Sequence, residues 1–298
     1  MRPFVYTVPV VFFLLIGGMV ASAQTPAIDP NRAALNSASF SQGAVAPGSL
    51  VSIFGTNLAS TESLASTVPL STSLANVSVT FNGVPATISG VFPDPVNGDQ
   101  VNAQVPWELL PTLPPSTNGT AQVIVTRNGT PSSPVSVSIA PAAPGIFALI
   151  LNNGQVVGSG SGQAIAYGNL DGNIAAPVGA ITGLSTHPAK INDPNTLVIL
   201  ATGLGAVDTT VKDGDVPTVI TSNTLAKPTV LVGGVAAQVV FSGMVGRDST
   251  GKVAGFVGVY QLNIIIAPGT PTGNAVPLQI QMPGGTPTTN KVTIAVSN

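Results

Sequence analysis

From about residue 50 onward the chain is written in short runs where apolar and polar residues alternate, each run closed by glycine, proline or asparagine. Val77-Ser78-Val79-Thr80-Phe81 alternates cleanly, and the next two residues, Asn82-Gly83, favour the left-handed backbone of a two-residue hairpin turn. Val84 to Val91 returns. Gln100 to Val105 forms the next run, and Ala121 to Thr126 pairs with Val135 to Ile139 around a second Asn-Gly, Asn128-Gly129. Ser49 to Phe54 carries Leu50, Ser52 and Phe54 on one face and Val51 and Ile53 on the other, so both faces are partly apolar, as in a strand between two layers. Residues 24 to 42 read as a polar lead-in, and 59 to 73 as a Ser/Thr-rich loop. No segment after the N-terminus holds a helical period of 3.6. The pattern predicts about seven short strands with turns roughly every ten residues, which is the signature of an immunoglobulin-like sandwich.

The same order then recurs about 150 residues later. Ala46-Pro47-Gly48-Ser49-Leu50-Val51-Ser52-Ile53-Phe54-Gly55 is answered by Asp193-Pro194-Asn195-Thr196-Leu197-Val198-Ile199-Leu200-Ala201-Thr202-Gly203. Val79 to Ala86 is answered by Val230 to Ala237, Gln100 to Val105 by Gln261 to Ile266, and Arg127 to Ser133 by Pro283 to Thr289. Matching blocks in one order predict two copies of one domain. The first spans 24–142. The second spans 143–298 and includes a connecting segment, 143–190, whose runs Ile146 to Leu151 and Gln163 to Tyr167 read as strands of the second copy.

The N-terminus reads as an export signal over 1–23. Arg2 supplies the positive charge, Val8 to Val20 the apolar stretch, and Ala21-Ser22-Ala23 the small-residue cleavage pattern before Gln24. The apolar stretch is shorter than the roughly 20 residues of a membrane span, so membrane contact is expected only through the signal before cleavage. With 7 % charged residues, 44 % hydrophobic, 33 Gly, 27 Pro and no Cys among 298 residues, the composition suits a β-rich chain without disulfides. After the signal the net charge is about −3, and the few basic residues are scattered, which argues against a nucleic-acid partner. A secreted location, in the periplasm, at the cell surface or outside the cell, is expected.

The residues also carry a resemblance. Val45 to Leu58, Val101-Asn102-Ala103-Gln104-Val105-Pro106-Trp107-Glu108, Ala142 to Phe147 and Tyr260-Gln261-Leu262-Asn263 resemble an uncharacterised C-terminal domain family of secreted acidobacterial proteins of the Solibacter type. Ala201 to Gly205 and Gly234 to Val239 fit it too. That family is similar to IPT/TIG immunoglobulin-like domains, so the resemblance implies early-set sandwiches. It implies no activity and no catalytic residues.

Candidate chemistry is sparse. His187 is the sole histidine and stands before Pro188, with no G-x-S-x-G elbow in the chain, so a catalytic triad has no base in place. One histidine and no cysteine serve zinc poorly. Asp208, Asp213 and Asp215 form the densest acidic cluster. Calcium accepts several loop oxygens, which makes this trio a candidate calcium site, although the spacing is not that of an EF-hand and Lys212 interrupts it. Solvated turn residues are the simpler reading. Trp107, the single tryptophan, is the candidate ligand contact, because aromatic rings stack on sugars; the alternative is a core or interdomain plug. A carboxylate pair for glycoside hydrolysis is invisible to sequence spacing in a sandwich. The expectation is therefore a secreted, non-enzymatic binding, adhesion or spacer module without a cofactor, its partner an envelope protein or polysaccharide. The alternatives are a carbohydrate-binding module using Trp107, which requires an exposed ring, and a secreted hydrolase.

Overall fold

The computed structural model describes residues 24–112, 119–152, 155–159, 161–285, 288 and 290–298. The expected export signal, 1–23, lies outside the described residues. The fold is all-β, with two short 3₁₀ helices, Pro30–Arg32 and Trp107–Thr112, and no α-helix among the described residues.

In the N-terminal half the principal strands are β1 (Leu50–Thr56), β2 (Val77–Phe81), β3 (Val84–Phe92), β4 (Asp99–Gln104), β5 (Gly119–Arg127) and β6 (Val135–Ile139). In the C-terminal half they are β7 (Leu197–Thr202), β8 (Thr229–Val232), β9 (Val235–Val245), β10 (Tyr260–Ile265), β11 (Gly273–Gln281) and β12 (Val292–Ser297). Hydrogen-bonded neighbours run β1-β4-β3-β2-β5 in the first half and β7-β10-β9-β8-β11-β12 in the second. A two-residue strand edges each path, Ala27–Ile28 against β1 and Gly145–Ile146 against β7.

Each half folds over on itself through one long strand. β3 pairs β2 through Val84 to Ala86 and β4 through Thr87 to Phe92, with a bulge between Ile88 and Gly90. β9 does the same, pairing β8 through Val235 to Ala237 and β10 beyond, with a bulge between Val239 and Phe241. A bulge bends its strand and increases local twist, which lets one strand serve two layers. The hairpins follow from turn chemistry. Asn82 and Gly83 both take positive φ, 50° and 80°, as do Asn128 and Gly129, 49° and 79°, and this is the backbone that the right-handed twist of paired strands requires.

Alternation decides what goes inside. In β2, Val77, Val79 and Phe81 are buried while Ser78 and Thr80 are half-exposed. Val51, Ile53, Ile88, Val101, Val123 and Val125 complete the first core. Ile199, Val230, Leu262, Ile264, Leu278 and Ile294 build the second. Each such side chain contributes about 1.5–3 kcal/mol on leaving water. Tyr260 is fully buried in the second core and donates its hydroxyl to Gly205 O, and burial pushes its pKa up.

The polar lead-in is more than a tail. Leu35–Asn36 pairs with β1, and Ala33, Ala34, Leu35 and Ala38 are buried. In the same way, residues 174 to 190 of the connecting segment bury Ala175, Ala176 and Ile181 and end in a short strand, Ala189–Lys190, parallel to β12.

Candidate functional site

The halves meet along the end of the N-terminal half where β1 begins and β4 ends. Leu50 N–H donates to Thr202 Oγ1 at 3.0 Å, and Thr202 donates onward to Gly258 O at 2.7 Å. Gln104 accepts Gly214 N–H at 2.7 Å and donates to Gly48 O at 3.1 Å. Leu70 N–H donates to Gly214 O at 2.8 Å. Gln104 and Thr202 are essentially solvent-free, and each combines a bond within its own half with one accepted from a backbone N–H of the other half. The connector between β6 and Gly145 is fastened as well. Asn36 Nδ2 donates to Ala143 O at 3.0 Å, and Ala143 N–H donates to Gly203 O at 2.8 Å.

Trp107 belongs to this junction. It opens the second 3₁₀ helix, is only partly exposed, and packs against the core of the C-terminal half. Its ring lies on Gly48, where an added Cβ would come within 2.1 Å of it; with φ of 78°, Gly48 is required twice over. Gly214, at φ 72°, is also held closely, with an added Cβ 2.8 Å from Leu70 O and 2.9 Å from Thr87. Trp107 therefore sits between the halves, its ring partly covered by Gly48 and the second core. Its Nε1–H is buried without an acceptor, an unmade bond that costs about 1–3 kcal/mol.

The three clustered aspartates go to three places. Asp208 accepts from Ser222 Oγ at 2.8 Å and from Asn223 N and Nδ2 at 2.9 Å each, which holds its pKa below the usual range. Asp215 pairs with Arg247 at 2.6 Å. Asp213 reaches across the junction and accepts Trp107 N–H at 2.9 Å, capping the first free donor of the 3₁₀ helix. Burial pushes Asp213 up to about 7; the Trp107 N–H opposes this, and the neighbouring Glu108 carboxyl, hydrogen-bonded to Asp213, adds to it. No group of three or more His, Cys, Asp or Glu positioned to hold a metal occurs among the described residues. Burial at the junction, first of all, raises Asp213 against the pull of the Trp107 N–H.

His187 rims a polar pocket of about 230 Å³ with Asp171, Lys190 and Asp193. Its Nδ1 lies 2.8 Å from Pro188 O and so carries the proton. The cation in this pocket stands beside two acids.

At the pole opposite the junction lies a larger cleft of about 790 Å³, walled by the Ala27–Arg32 segment, the end of β1, the 93–98 loop and Arg127 at the end of β5. Its acids are engaged locally. Asp29 accepts from Asn31 N and from Arg32 Nε at 2.7 Å. Asp94 holds Val96 N, Asn97 N and Asn97 Nδ2. Asp99 holds Leu58 N, Ala59 N and Asp94 N. Arg32 is engaged too: besides Asp29 it donates to Asn97 O and lies over the Phe54 ring at 4.8 Å. Arg127 differs. Its Nη1 donates to Asn57 O at 3.2 Å, its Nε is buried without an acceptor, and it forms no ion pair among the described residues. The sequence carried no signal for Arg127, an isolated basic residue before a turn.

Comparison with known proteins agrees with the fold. Residues 34–139 match the family model of the IPT/TIG domain, so this segment carries that immunoglobulin-like fold. No curated protein matches the chain. Among solved structures, it is similar to SGBP-B of the Bacteroides ovatus mixed-linkage glucan utilization locus, in complex with a mixed-linkage heptasaccharide (11% identity, TM-score 0.29, 94% of this chain and 47% of that one). It is also similar to FdeC, an Escherichia coli adhesin (10% identity, TM-score 0.22, 91% and 66%), and to the C-terminal domain of the Streptococcus agalactiae AgI/II polypeptide BspA (9% identity, TM-score 0.20, 86% and 95%). The chain spans less than two thirds of the first two. At these scores none of the three carries an argument about what this chain binds. Among the described residues no helix is long and apolar enough to cross a membrane.

Proposed function

We propose that the chain is a secreted, non-enzymatic binding or adhesion module in which two immunoglobulin-like sandwiches, 24–142 and 143–298, are docked into one body that holds a binding surface away from its attachment. The observation that supports this reading is the junction. Buried Gln104 and Thr202 each accept a backbone N–H of the other half, Asp213 accepts that of Trp107, and the Trp107 ring packs against the second core. Two freely jointed beads would have no use for a glutamine and a threonine buried to this degree. The rigid body supplies reach, and the loops at its far pole supply contact. Trp107 serves the docking in this reading, which leaves no exposed ring for sugar stacking there.

Small-angle scattering of the chain from Gln24 tests the reading, beside the same chain carrying Trp107→Ala. A single compact profile for the parent, unchanged from low to high salt, with a lengthened and flexible profile for the variant, is the expected result. A flexible parent removes the rigid-spacer reading. Hydrolysis of any glycoside or peptide in a substrate panel, lost in a carboxylate variant, removes the non-enzymatic one. Cell fractionation that leaves the protein in the cytoplasm removes the secreted one.

A further inference from the structure

We propose that the cleft at the pole opposite the junction is a binding site for a carboxylate-bearing saccharide, with Arg127 as its charged anchor. The assignment goes beyond the module reading and rests on it only for there being a ligand at all. It follows from the charge inventory of the cleft. Asp29, Asp94 and Asp99 spend their oxygens on backbone N–H groups and on Arg32, and Arg32 is fixed in turn by Asp29, Asn97 O and the Phe54 ring. What is left over is one half-buried guanidinium that shares the cleft with these engaged aspartates, has a single carbonyl contact and forms no ion pair among the described residues. A guanidinium presents its N–H groups as a planar fork that matches a carboxylate.

The rest of the lining says what carries that carboxylate. Thr56, Ser60 and Asn97 bring hydroxyl and amide groups to the same cleft, and no aromatic ring lines it among the described residues. Such a wall suits the hydroxyls of a sugar. A peptide would require side-chain pockets or a free strand edge, and among the described residues Ala27–Ile28, the terminal strand beside β1, offers two residues before Pro30 and so too short a ladder. The cleft volume of about 790 Å³ accommodates more than one sugar ring.

The test uses the chain from Gln24, tetragalacturonate as probe, its methyl ester as the same sugar with the charge masked, and a glucuronate-containing tetrasaccharide as a second acid. Calorimetric titration is expected to show saturable binding of at least one acidic probe that weakens with added salt. The ester is expected to bind at least tenfold more weakly, and Arg127→Gln to reduce acid binding to the level of the ester. Only three arginines follow Gln24, namely Arg32, Arg127 and Arg247, so their Nε–H resonances are separable. Acidic probe should move the Arg127 resonance and leave that of Arg247 in place, a readout on the unmutated protein that does not depend on the variant's folding. Equal affinity for acid and ester, unchanged binding in folded Arg127→Gln, a still Arg127 resonance under saturating probe, or no binding of either acid would each overturn the proposal. None of these outcomes touches the scattering test of the docked halves, so the two readings fail separately.

Discussion

The two poles of the N-terminal half are built from the same strands and end in the same kinds of polar residue, yet they are finished in opposite ways. At the junction, Gln104 and Leu50 reach groups on the other half, and Asp213 of the other half reaches back to Trp107. At the far pole, Asp94 and Asp99 bond to their own loops and Arg127 is left with a carbonyl and no ion pair among the described residues. A buried polar group without a partner costs more than a made bond returns. One pole has therefore been closed by the protein itself, and the other keeps a charge that the protein does not answer.

The contrast can be broken most forcefully at Gly48. Gly48→Ala drives a methyl into the Trp107 ring and adds left-handed backbone strain of about 1–2 kcal/mol. A loss of about 4 kcal/mol in denaturant unfolding is expected, with the scattering profile lengthened. Trp107→Ala should follow at about 3 kcal/mol, at the lower end for a large aromatic because the ring is only partly buried. A melt in which Trp107→Ala is as stable as the parent would show that the ring does not hold the halves together.

A gentler probe is pH. The folded pKa of Asp213, about 7, lies above its ordinary 3.8. Below 3.8 the group is protonated in both states and costs the fold nothing. Between about 4 and 7 the unfolded chain releases this proton while the folded chain keeps it, so stability falls as pH rises through that window. Asp213→Asn keeps an acceptor for Trp107 N–H and removes the titration. Subtracting its melting curves from the parent's should leave a decline of about 1 kcal/mol from pH 4 to 8, allowing for solvent screening of a half-exposed carboxyl. A flat difference would mean Glu108 and burial do not perturb Asp213. The smallest stability effect is expected at the far pole: Arg127→Gln should change unfolding by less than about 1 kcal/mol, because it forfeits one hydrogen bond and relieves a stranded N–H. A large loss there would make Arg127 a structural residue.

Strands separated by Asn-Gly turns were legible in the sequence because alternation and left-handed turn residues are local signals. Val77–Phe81 and Val135–Ile139 fall where the pattern put them. The lead-in was not legible, because Leu35 and Ile28 are buried by pairing with β1, and nothing in a polar stretch announces its partner. Asp208, Asp213 and Asp215 look like a cluster in the sequence because they are close in number, but the turns between them aim each at a different element. The junction pairs residues more than a hundred positions apart, Trp107 with Asp213 and Leu50 with Thr202, and no periodicity encodes such a match. The packing of Trp107 against the core of the C-terminal half is a contact of the same long-range kind.

The short connector after Ile139 has a mechanical consequence. Its slack, if freed, would be under about 20 Å, and both sides are pinned, by Asn36 on one half and Gly203 on the other. Tension applied along the chain therefore meets no loose tether to take up. It loads the junction at once, and the pair should lengthen under force in a single abrupt release instead of a gradual uncoiling.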